Sequence, residues 1–311
     1  MGGRVVILGI YVTDLAFRAS RMPLIGETIA GSTFAMGPGG KGSNQAVAAA
    51  RAGAEVVFCT RLGHDAFGDI ARATWQAEGI VARAKTVEGM ATGAAHIFVE
   101  EGTGHNAIIV AAGAAGTMDA GDADAIEADI ASAQVFVTQL EQPVAAARRG
   151  LEIARRHGVT TVLNPAPALP LPDDIFALCD YVTPNETEAA TLTGIDVRSP
   201  DDARRAADVL LAKGAGAVIV TLGEAGALMH SSTRSIFVPA FRCGPVIETA
   251  GAGDGFTGGF AAALARGDDP VDAIRFGCAL AGISVTRPGT APSMPRLTEI
   301  EALLGAAAPA G

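Results

Sequence analysis

The sequence predicts an α/β fold, in which a three-layer, doubly wound and mainly parallel sheet is accompanied by a small second sheet. Short apolar runs alternate with longer segments of helical periodicity over most of the 311 residues, and this alternation is typical of a parallel sheet with helices on both faces. Two inserts, residues 11–36 and 88–111, break the alternation with strand-like residues and turns. We expect residues 1–10, 37–87 and 112–304 to form the large α/β domain and the two inserts to form the small sheet.

The composition is that of a chain able to bury a full α/β core, because 49% of its residues are hydrophobic. A net charge of −10 without a basic cluster argues against nucleic acid or a membrane surface as a partner. The four cysteines form no C-x-x-C pair, which favours reduced thiols and a cytoplasmic location over a zinc site or a disulfide framework. Residues 305–311 have the composition of a disordered tail.

The large domain begins with the apolar run from Val5 to Gly9, which is too short to cross a bilayer and predicts a buried strand of a parallel sheet. Strands and helices then alternate along the chain. The further predicted strands are 56–60, 135–139, 161–163, 181–182 and 217–221, and the predicted helices are 43–52, 66–78, 144–157, 186–193 and 201–213. A turn after the last of these strands leads into another strand.

The two inserts share short strand-like pieces. In the first insert, proline and glycine interrupt sparse apolar residues, with β-like pieces at 27–30 and 32–34. In the second, residues 92–99 and 106–110 alternate around a glycine-containing turn at 101–104, which is the pattern of a β-hairpin. A small sheet with one apolar face needs cover, so we expect it to pair with the same sheet of a second subunit.

Five residues able to contact a ligand lie just after predicted strands. They are Asp14, Glu141, Asn164, Asn185 and Gly223. Ligands of doubly wound sheets bind beyond the carboxyl ends of the strands. We therefore expect these residues to share one cleft.

A glycine-rich stretch, TAGAGDGF at residues 249–256, carries the carboxylate of Asp254 into an apolar helical segment. Glycines allow a tight turn and the close approach of an anion, and free N–H groups at a helix start attract negative charge. With a phosphoryl group on the N–H groups of residues 251–253, Asp254 could take a proton from the attacking group. The alternative is an ordinary glycine-rich loop with Asp254 as the helix cap.

A second glycine-rich segment, GPGGKG at residues 37–42, matches G-x-G-x-x-G and leads into a predicted helix. It does not follow the first strand, as a dinucleotide-binding motif should, and Lys41 is followed by glycine rather than by the Ser or Thr of a P-loop. What remains is a loop that holds Lys41 and Asn44 beside a neutral ligand. The alternative is a helix entry with Ser43 as its cap.

Asn185 and Glu188 lie three residues apart at a predicted helix start, so both side chains can point to one face. An amide and a carboxylate in this arrangement suit Mg²⁺, which keeps much of its hydration shell. The alternative is a helix cap.

These motifs in this order, with NPAP at residues 164–167 among them, resemble the ribokinase branch of the pfkB carbohydrate kinases from about Val5 to Pro295. The resemblance implies a ribokinase-like fold whose small sheet is a lid over the substrate. It also implies ATP-dependent phosphorylation of the primary hydroxyl of a small sugar. In this reaction Asp254 would be the general base, and the N–H groups of Gly251, Ala252 and Gly253 would stabilise charge on the phosphoryl group.

The resemblance assigns further roles by position. Expected sugar contacts are Asp14, Gly40, Lys41, Asn44, Glu141 and Asp254, with Ala95 and Ile97 in the lid. Expected ATP contacts are Asn185, Thr221, Gly223, Gly226, Gly253 and Cys278, and Asn185 and Glu188 would hold Mg²⁺. A K⁺ ion would be bound by the carbonyls of Ala250, Ser284, Arg287 and Gly289, with Glu248 and Ser293 adding oxygens.

Three residues depart from the pattern of the family. Glu248 replaces an aspartate at the K⁺ site, and Cys278 replaces a histidine beside the adenine. Val12 stands where ribokinases carry an asparagine that binds a ribose hydroxyl, and kinases resembling deoxyribokinase also carry an apolar residue there. The expected substrate is therefore ribose, with 2-deoxyribose as a competitor. The sequence also leaves open a nucleoside kinase, for whose base this lid offers mainly Ala95 and Ile97, and a non-catalytic sugar-binding relative.

Overall fold

The computed structural model describes residues 2–306, which contain thirteen strands in two sheets. The strands are β1 (Arg4–Leu8), β2 (Val12–Ala19), β3 (Thr33–Gly39), β4 (Glu55–Leu62), β5 (Val81–Thr86), β6 (Thr92–Glu100), β7 (Asn106–Gly113), β8 (Val135–Thr138), β9 (Thr160–Leu163), β10 (Tyr181–Val182), β11 (Ala217–Thr221), β12 (Gly226–Ser231) and β13 (Ser235–Pro239). The α-helices are α1 (Lys41–Arg51), α2 (Ala66–Ala77), α3 (Ala120–Ala125), α4 (Glu127–Ala131), α5 (Val144–Arg156), α6 (Glu186–Thr193), α7 (Pro200–Ala212), α8 (Ala252–Arg266), α9 (Pro270–Ser284) and α10 (Leu297–Ala306).

The larger sheet has nine strands in the order β13-β12-β11-β10-β9-β8-β1-β4-β5. The neighbours from β11 to β5 run parallel, whereas β12 is antiparallel to both β11 and β13. The predicted mainly parallel sheet is therefore confirmed, with an antiparallel hairpin at one edge. The carboxyl ends of its parallel strands meet at one edge of the sheet, where the site lies.

Helices cover both faces of the larger sheet. One layer contains α1, α2, α8, α9 and α10 and buries Trp75 and Phe260, and the other contains α3 to α7 and buries Phe136 and Phe176. Successive residues of β1 point alternately into these two layers. Burial on both faces explains why the central strands are continuous apolar runs.

The smaller sheet has four strands in the order β3-β2-β6-β7, as the two inserts predict. One face carries Asp14 and its register partner Ala95, together with Val12. The other face exposes Phe17 and Phe34, whose ring centroids are 4.8 Å apart. β3 continues to residue 39 and β7 to residue 113, so these strands extend past the expected ends of the inserts.

Some details differ from the sequence prediction. Residues 27–30 lie outside any strand, and Asp14 lies within β2 rather than just after β1. The sequence does not predict β5, because this edge strand is mostly exposed and carries few apolar residues. Residues 305 and 306 end α10 instead of forming a disordered tail, and residues 307–311 lie outside the described residues. Within residues 2–306, no helix has the length and apolar character needed to cross a membrane.

Candidate active site

The glycine-rich segment at residues 37–42 turns the chain from β3 into α1. Gly40 has a φ of +85°, and a Cβ on it would lie 2.8 Å from a backbone carbonyl oxygen. Only glycine fits this crowded position with its positive φ. Gly40 is the N-cap of α1, which begins at Lys41, so the alternative of Ser43 as the cap is wrong. The first turn of α1 thereby brings Lys41 and Asn44 to the cleft.

Asp254 lies in the first turn of α8, where it is 6% exposed. Gly251 occupies the cap position with a φ of +78°, so the alternative of Asp254 as the helix cap is wrong. The Asp254 carboxylate accepts hydrogen bonds from Asn44 Nδ2 at 3.0 Å and from Gln45 Nε2 at 3.1 Å. The two glycine-rich motifs therefore meet at this carboxylate.

The start of α8 faces open space next to Asp254. A Cβ on Gly253 would meet no atom within 4 Å, so the backbone is accessible there. The Ala252 N–H donates to the carbonyl of Thr249 at 3.2 Å, which commits one of the three expected N–H donors to a turn. A helix start of this kind attracts an anion.

Two cavities adjoin at this helix start. The larger has a volume of about 680 Å³, within the usual range of a small-molecule site. It is lined by all the residues expected to contact ATP, namely Asn185, Thr221, Gly223, Gly226, Gly253 and Cys278. The smaller has a volume of about 130 Å³ and is lined by residues that include Lys41, Asn164, Glu188 and Asp254. Asn185, Thr221 and Gly253 border both cavities.

Comparison with known proteins decides the family of the chain. The family described as pfkB family carbohydrate kinase matches residues 3–297. The chain belongs to the pfkB family. A ribokinase of Haemophilus influenzae is 41% identical over 275 residues, which cover 88% of this chain and 89% of the relative. A deoxyribokinase of Salmonella typhi is 37% identical over 302 residues, which cover 96% of this chain and 98% of the relative.

Solved structures agree with this pfkB-family assignment. The structure of Arabidopsis thaliana ribokinase complexed with ribose and ATP matches with a TM-score of 0.91 at 28% identity, covering 98% of this chain and 99% of the other. The ribokinase-like fold with its small second sheet is thus confirmed. This pfkB-family chain is an ATP-dependent sugar kinase of ribokinase type.

In this pfkB-family site, the charged residues expected to bind the sugar lie around Lys41. The backbone N–H of Lys41 donates to Glu141 Oε2 at 2.8 Å. The nearby carboxylates, of which Asp254 has the largest effect, raise the pKa of the Lys41 side chain. Burial raises the pKa of Glu141 to about 7 and that of Asp14 to about 6. The site thus combines a stabilised cation with carboxyl groups removed from bulk water.

The apolar residues expected to contact the sugar lie beside Asp14. Val12 is 2% exposed and packs in a small apolar cluster that contains Ala95, with Ile97 packed against it. Asp14 Oδ2 lies 3.4 Å from Thr290 Oγ1, and Val12 shares its face of β2. The structure thus places one apolar patch and one carboxyl side by side on the small sheet.

Asn185 and Glu188 form a capping box at the start of α6. Asn185 Oδ1 accepts the Glu188 N–H at 2.8 Å, and Glu188 Oε2 accepts the Asn185 N–H at 2.9 Å. The helix-cap alternative is therefore confirmed. Both residues also line the smaller cavity, and burial raises the pKa of Glu188.

The residues expected around K⁺ lie on two segments that are bonded to each other. The N–H groups of Ile247 and Glu248 donate to the carbonyl of Val285 at 2.8 Å and 3.2 Å. Glu248 Oε2 accepts the Gly289 N–H at 2.8 Å. The longer side chain of this glutamate thus reaches the opposite segment directly.

The sequence motifs do not identify two buried side-chain amides near Asp254 as site residues. Gln45 lies four residues after Lys41, and this helical spacing is the signal that places it on the cleft side of α1. Gln139 follows the buried strand β8 directly, as site residues of such sheets do. By contrast, the contact of Thr290 with Asp14 has no sequence signal, because it joins segments 276 residues apart.

Proposed function

We propose that this kinase transfers the γ-phosphoryl group of ATP to the 5-hydroxyl of D-ribose, which yields D-ribose 5-phosphate and ADP. The position of Asp254 carries the proposal. Its carboxylate lies beside Lys41 and Asn44, which are expected to hold the sugar, and at a helix start that borders the nucleotide-sized cavity. The similarity to a ribokinase complexed with ribose and ATP supports the same substrates.

In the proposed reaction, Asp254 takes the proton of the attacking hydroxyl as the sugar oxygen bonds to the γ-phosphorus. The bond from this phosphorus to the bridging oxygen of ADP breaks, and ADP leaves with the electron pair. The N–H groups of Gly251 and Gly253, with the start of α8, stabilise charge on the transferred group. The Lys41 ammonium adds a positive charge on the sugar side.

We also propose that Mg²⁺ binds with the nucleotide near Asn185 and Glu188. Their chemistry fits the ion, because each oxygen used in the capping box retains a lone pair and Glu188 has a second carboxylate oxygen. Mg²⁺ keeps several waters and needs only one or two carboxylates besides the phosphates. When bound, it neutralises phosphate charge.

A monovalent cation, K⁺, is proposed between the two segments that Glu248 joins. Its ligands would be the carbonyls of Ala250, Ser284, Arg287 and Gly289, with the side chains of Glu248 and Ser293. Glu248 Oε1 remains available, because the Gly289 N–H bonds to Oε2. K⁺ accepts such oxygen sets, and backbone carbonyls do not depend on side-chain identity.

2-Deoxyribose is the second candidate substrate, and Val12 is the observation that favours it. A sugar hydroxyl pressed against this buried valine would lose a hydrogen-bond partner, at a cost of about 1–3 kcal/mol. Thr13 is a poor substitute, because it points to the other face of β2 and its hydroxyl lies 3.1 Å from that of Tyr11. A bridging water is the remaining alternative.

We propose that the enzyme is a cytoplasmic homodimer that pairs through its small sheet, the lid. The support for the dimer is the exposed apolar face of this sheet. Phe17 is 41% exposed and Phe34 is 55% exposed, and each lies next to the other. A patch of this kind on a small sheet indicates an interaction surface.

A coupled assay of ADP release over a panel of sugars tests the proposed function. We expect ATP-dependent turnover with D-ribose and 2-deoxyribose, and little turnover with hexoses or nucleosides. Turnover of a nucleoside above both pentoses would reassign the substrate. No ADP release with any acceptor would contradict the proposal and favour a sugar-binding relative without activity.

A further inference from the structure

A chain of buried side-chain amides runs behind the Asp254 carboxylate. Gln45 is fully buried and donates from Nε2 to Asp254 Oδ1 at 3.1 Å and to Asn164 Oδ1 at 3.0 Å. Its Oε1 accepts a hydrogen bond from Gln139 Nε2 at 2.5 Å. Asn164 Nδ2 donates in turn to the carbonyl of Thr183 at 2.9 Å. The chain therefore connects α8 and α1 to the residues that follow β8, β9 and β10.

The backbone carbonyl of Thr183 fixes the direction of every donor in this chain. A carbonyl only accepts, so the Asn164 amide must direct its NH₂ group to Thr183 and its oxygen to Gln45. The Gln45 amide must then direct its NH₂ group to this oxygen and to Asp254. With Gln45 rotated, its oxygen would face two other oxygens, one of them charged. Only this arrangement gives every hydrogen bond of the chain one donor and one acceptor, and in it Asp254 receives an N–H donor.

We propose that Gln45 is a positioning residue for Asp254 in phosphoryl transfer. Asn44 donates to Oδ2 and Gln45 to Oδ1, so each carboxylate oxygen accepts one N–H. Two donors on different oxygens fix the rotation of the carboxylate plane, and the remaining lone pairs are free for the sugar hydroxyl. This inference rests on the proposed role of Asp254 as the general base.

The charges around Asp254 explain why neutral donors are needed there. Asp14, Glu141 and Glu188 are carboxyl groups that interact electrostatically with Asp254, and Lys41 is the nearby cation. Hydrogen bonds to a carboxylate favour its charged form. An amide supplies them without adding a second cation that could pair with the carboxylate and block its access to the substrate proton.

The test is the variant Gln45→Met, which keeps the length of the side chain and removes both N–H donors. We expect kcat to fall about tenfold or more, because a hydrogen bond to a charged group is lost. The acidic limb of the kcat/KM profile should also move to higher pH, because the charged carboxylate has lost a donor. The KM for the sugar should change less than kcat, since Lys41 and Asn44 remain.

The matched variant is Gln139→Met, which removes an equally buried amide that donates its hydrogen bond to Gln45, whereas the donors to Asp254 are Asn44 and Gln45. It should lose less activity, because Asn164 still orients Gln45, and its acidic limb should stay in place. Circular dichroism and ATP binding verify that both variants are folded. If both variants lost the same activity and the acidic limb of neither kcat/KM profile moved, the role of Gln45 would be purely structural and the proposal would be overturned. Wild-type activity and pH profile in Gln45→Met would also overturn it.

The variant Gln45→Glu serves if the methionine variant does not fold, because it keeps the shape and the size of the side chain. It places a second carboxyl group against Asp254, so its activity relative to wild type should fall as pH rises and the introduced carboxyl loses its proton. A wild-type pH profile in this variant would overturn the proposal. The wild-type enzyme in the same assay distinguishes the kinase activity from the positioning role of Gln45. Failure of the wild type to release ADP contradicts the proposed function, whereas the variants test only the role of Gln45.

Discussion

Asn44 and Asp254 lie 210 residues apart in the sequence, yet Nδ2 of Asn44 lies 3.0 Å from Oδ2 of Asp254. The bond joins the first turn of α1 to the first turn of α8. The helix expected to bind the sugar and the helix expected to bind the phosphoryl group thus share one carboxylate. Replacing this carboxylate by an amide therefore removes the proposed base and leaves Lys41 and Asn44 to bind the sugar.

The variant Asp254→Asn should lower kcat by about 10²–10⁴-fold, because it removes the general base but keeps the shape of the side chain. Sugar binding should stay measurable by calorimetry, since Lys41 and Asn44 remain. One of the two amide donors loses its acceptor, which costs about 1–3 kcal/mol of stability and leaves the fold intact.

The matched control is Asp69→Asn, which changes an exposed aspartate in the first turn of α2. It should have wild-type activity. Near-normal turnover of the Asp254→Asn enzyme would remove this carboxylate from the mechanism.

The proposed dimer predicts that Phe17→Asp weakens self-association, because it puts a charge on the exposed apolar face of the lid. Light scattering after size exclusion should show a dimer for the wild type at micromolar concentrations and more monomer for the variant. Phe237→Asp is the control, because Phe237 lies on an edge strand of the large sheet and is 40% exposed, against 41% for Phe17. A monomeric wild type across this range would contradict the lid dimer.

The buried carboxyl of Asp14 is expected to lower the stability of the fold while it contributes to sugar binding. Burial raises its pKa to about 6 from 3.8, so between these values the folded state holds a proton that the unfolded state has lost. Stability therefore falls as pH rises through this window. Asp14→Asn avoids that loss and should be more stable than wild type by about 1–2 kcal/mol at pH 8, with a smaller difference at pH 4.5.

The free energy of unfolding is measured by chemical denaturation at the two pH values. The control is Glu101→Gln, which changes an exposed residue. The Asp14→Asn enzyme should bind its sugar more weakly, by about 5- to 150-fold. Equal stability of wild type and Asp14→Asn at pH 8 would show that burial of this carboxyl carries no penalty.

The alternation of apolar runs and helices was enough to predict the sheet, and the strand ends were enough to predict the cleft. Glu141, Asn164 and Asn185 follow parallel strands, and the carboxyl ends of such strands share an edge whatever the details of packing. Asp14 reaches the same site by another route, from within β2 of the small sheet. Its contact with Thr290 depends on how the two sheets pack, which no local pattern encodes.

The side-chain directions in the site were beyond sequence reasoning for a related reason. The amide of Gln45 is oriented by Asn164 and ultimately by the carbonyl of Thr183, so its role follows from three separate segments. Likewise, the sequence shows that Glu248 is longer than an aspartate, but not that it bonds to the Gly289 N–H. Local propensity fixes elements, whereas such contacts require the assembled tertiary structure.

Glu248 leads to a prediction about potassium. Because most of the proposed ligands are backbone carbonyls, we expect activity to rise when K⁺ replaces Na⁺ at constant ionic strength. Glu248→Asp should increase this dependence, because the shorter side chain gives up its bond to Gly289 and leaves the two segments to be joined by the ion. Equal wild-type activity in sodium-only and potassium buffers would contradict the proposed site.

Val12 determines the prediction about the sugar. It lies in an apolar cluster on the face of β2 that carries Asp14, and it can neither donate nor accept a hydrogen bond. A ribose hydroxyl pressed against it would lose about 1–3 kcal/mol, or about 5- to 150-fold in affinity, whereas 2-deoxyribose has no such hydroxyl to lose. The ratio of the two kcat/KM values therefore measures what Val12 contributes.

The variant Val12→Asn should raise the ratio of kcat/KM for ribose to that for 2-deoxyribose by about fivefold or more, because the amide restores a partner for the hydroxyl. Val12→Ala is the control, since it shortens the same side chain without adding a polar group and should leave the ratio unchanged. A ratio that stays constant in Val12→Asn, or that moves toward 2-deoxyribose, would mean that Val12 does not select the sugar. Selection would then depend on the polar groups around Asp14 or on a bridging water.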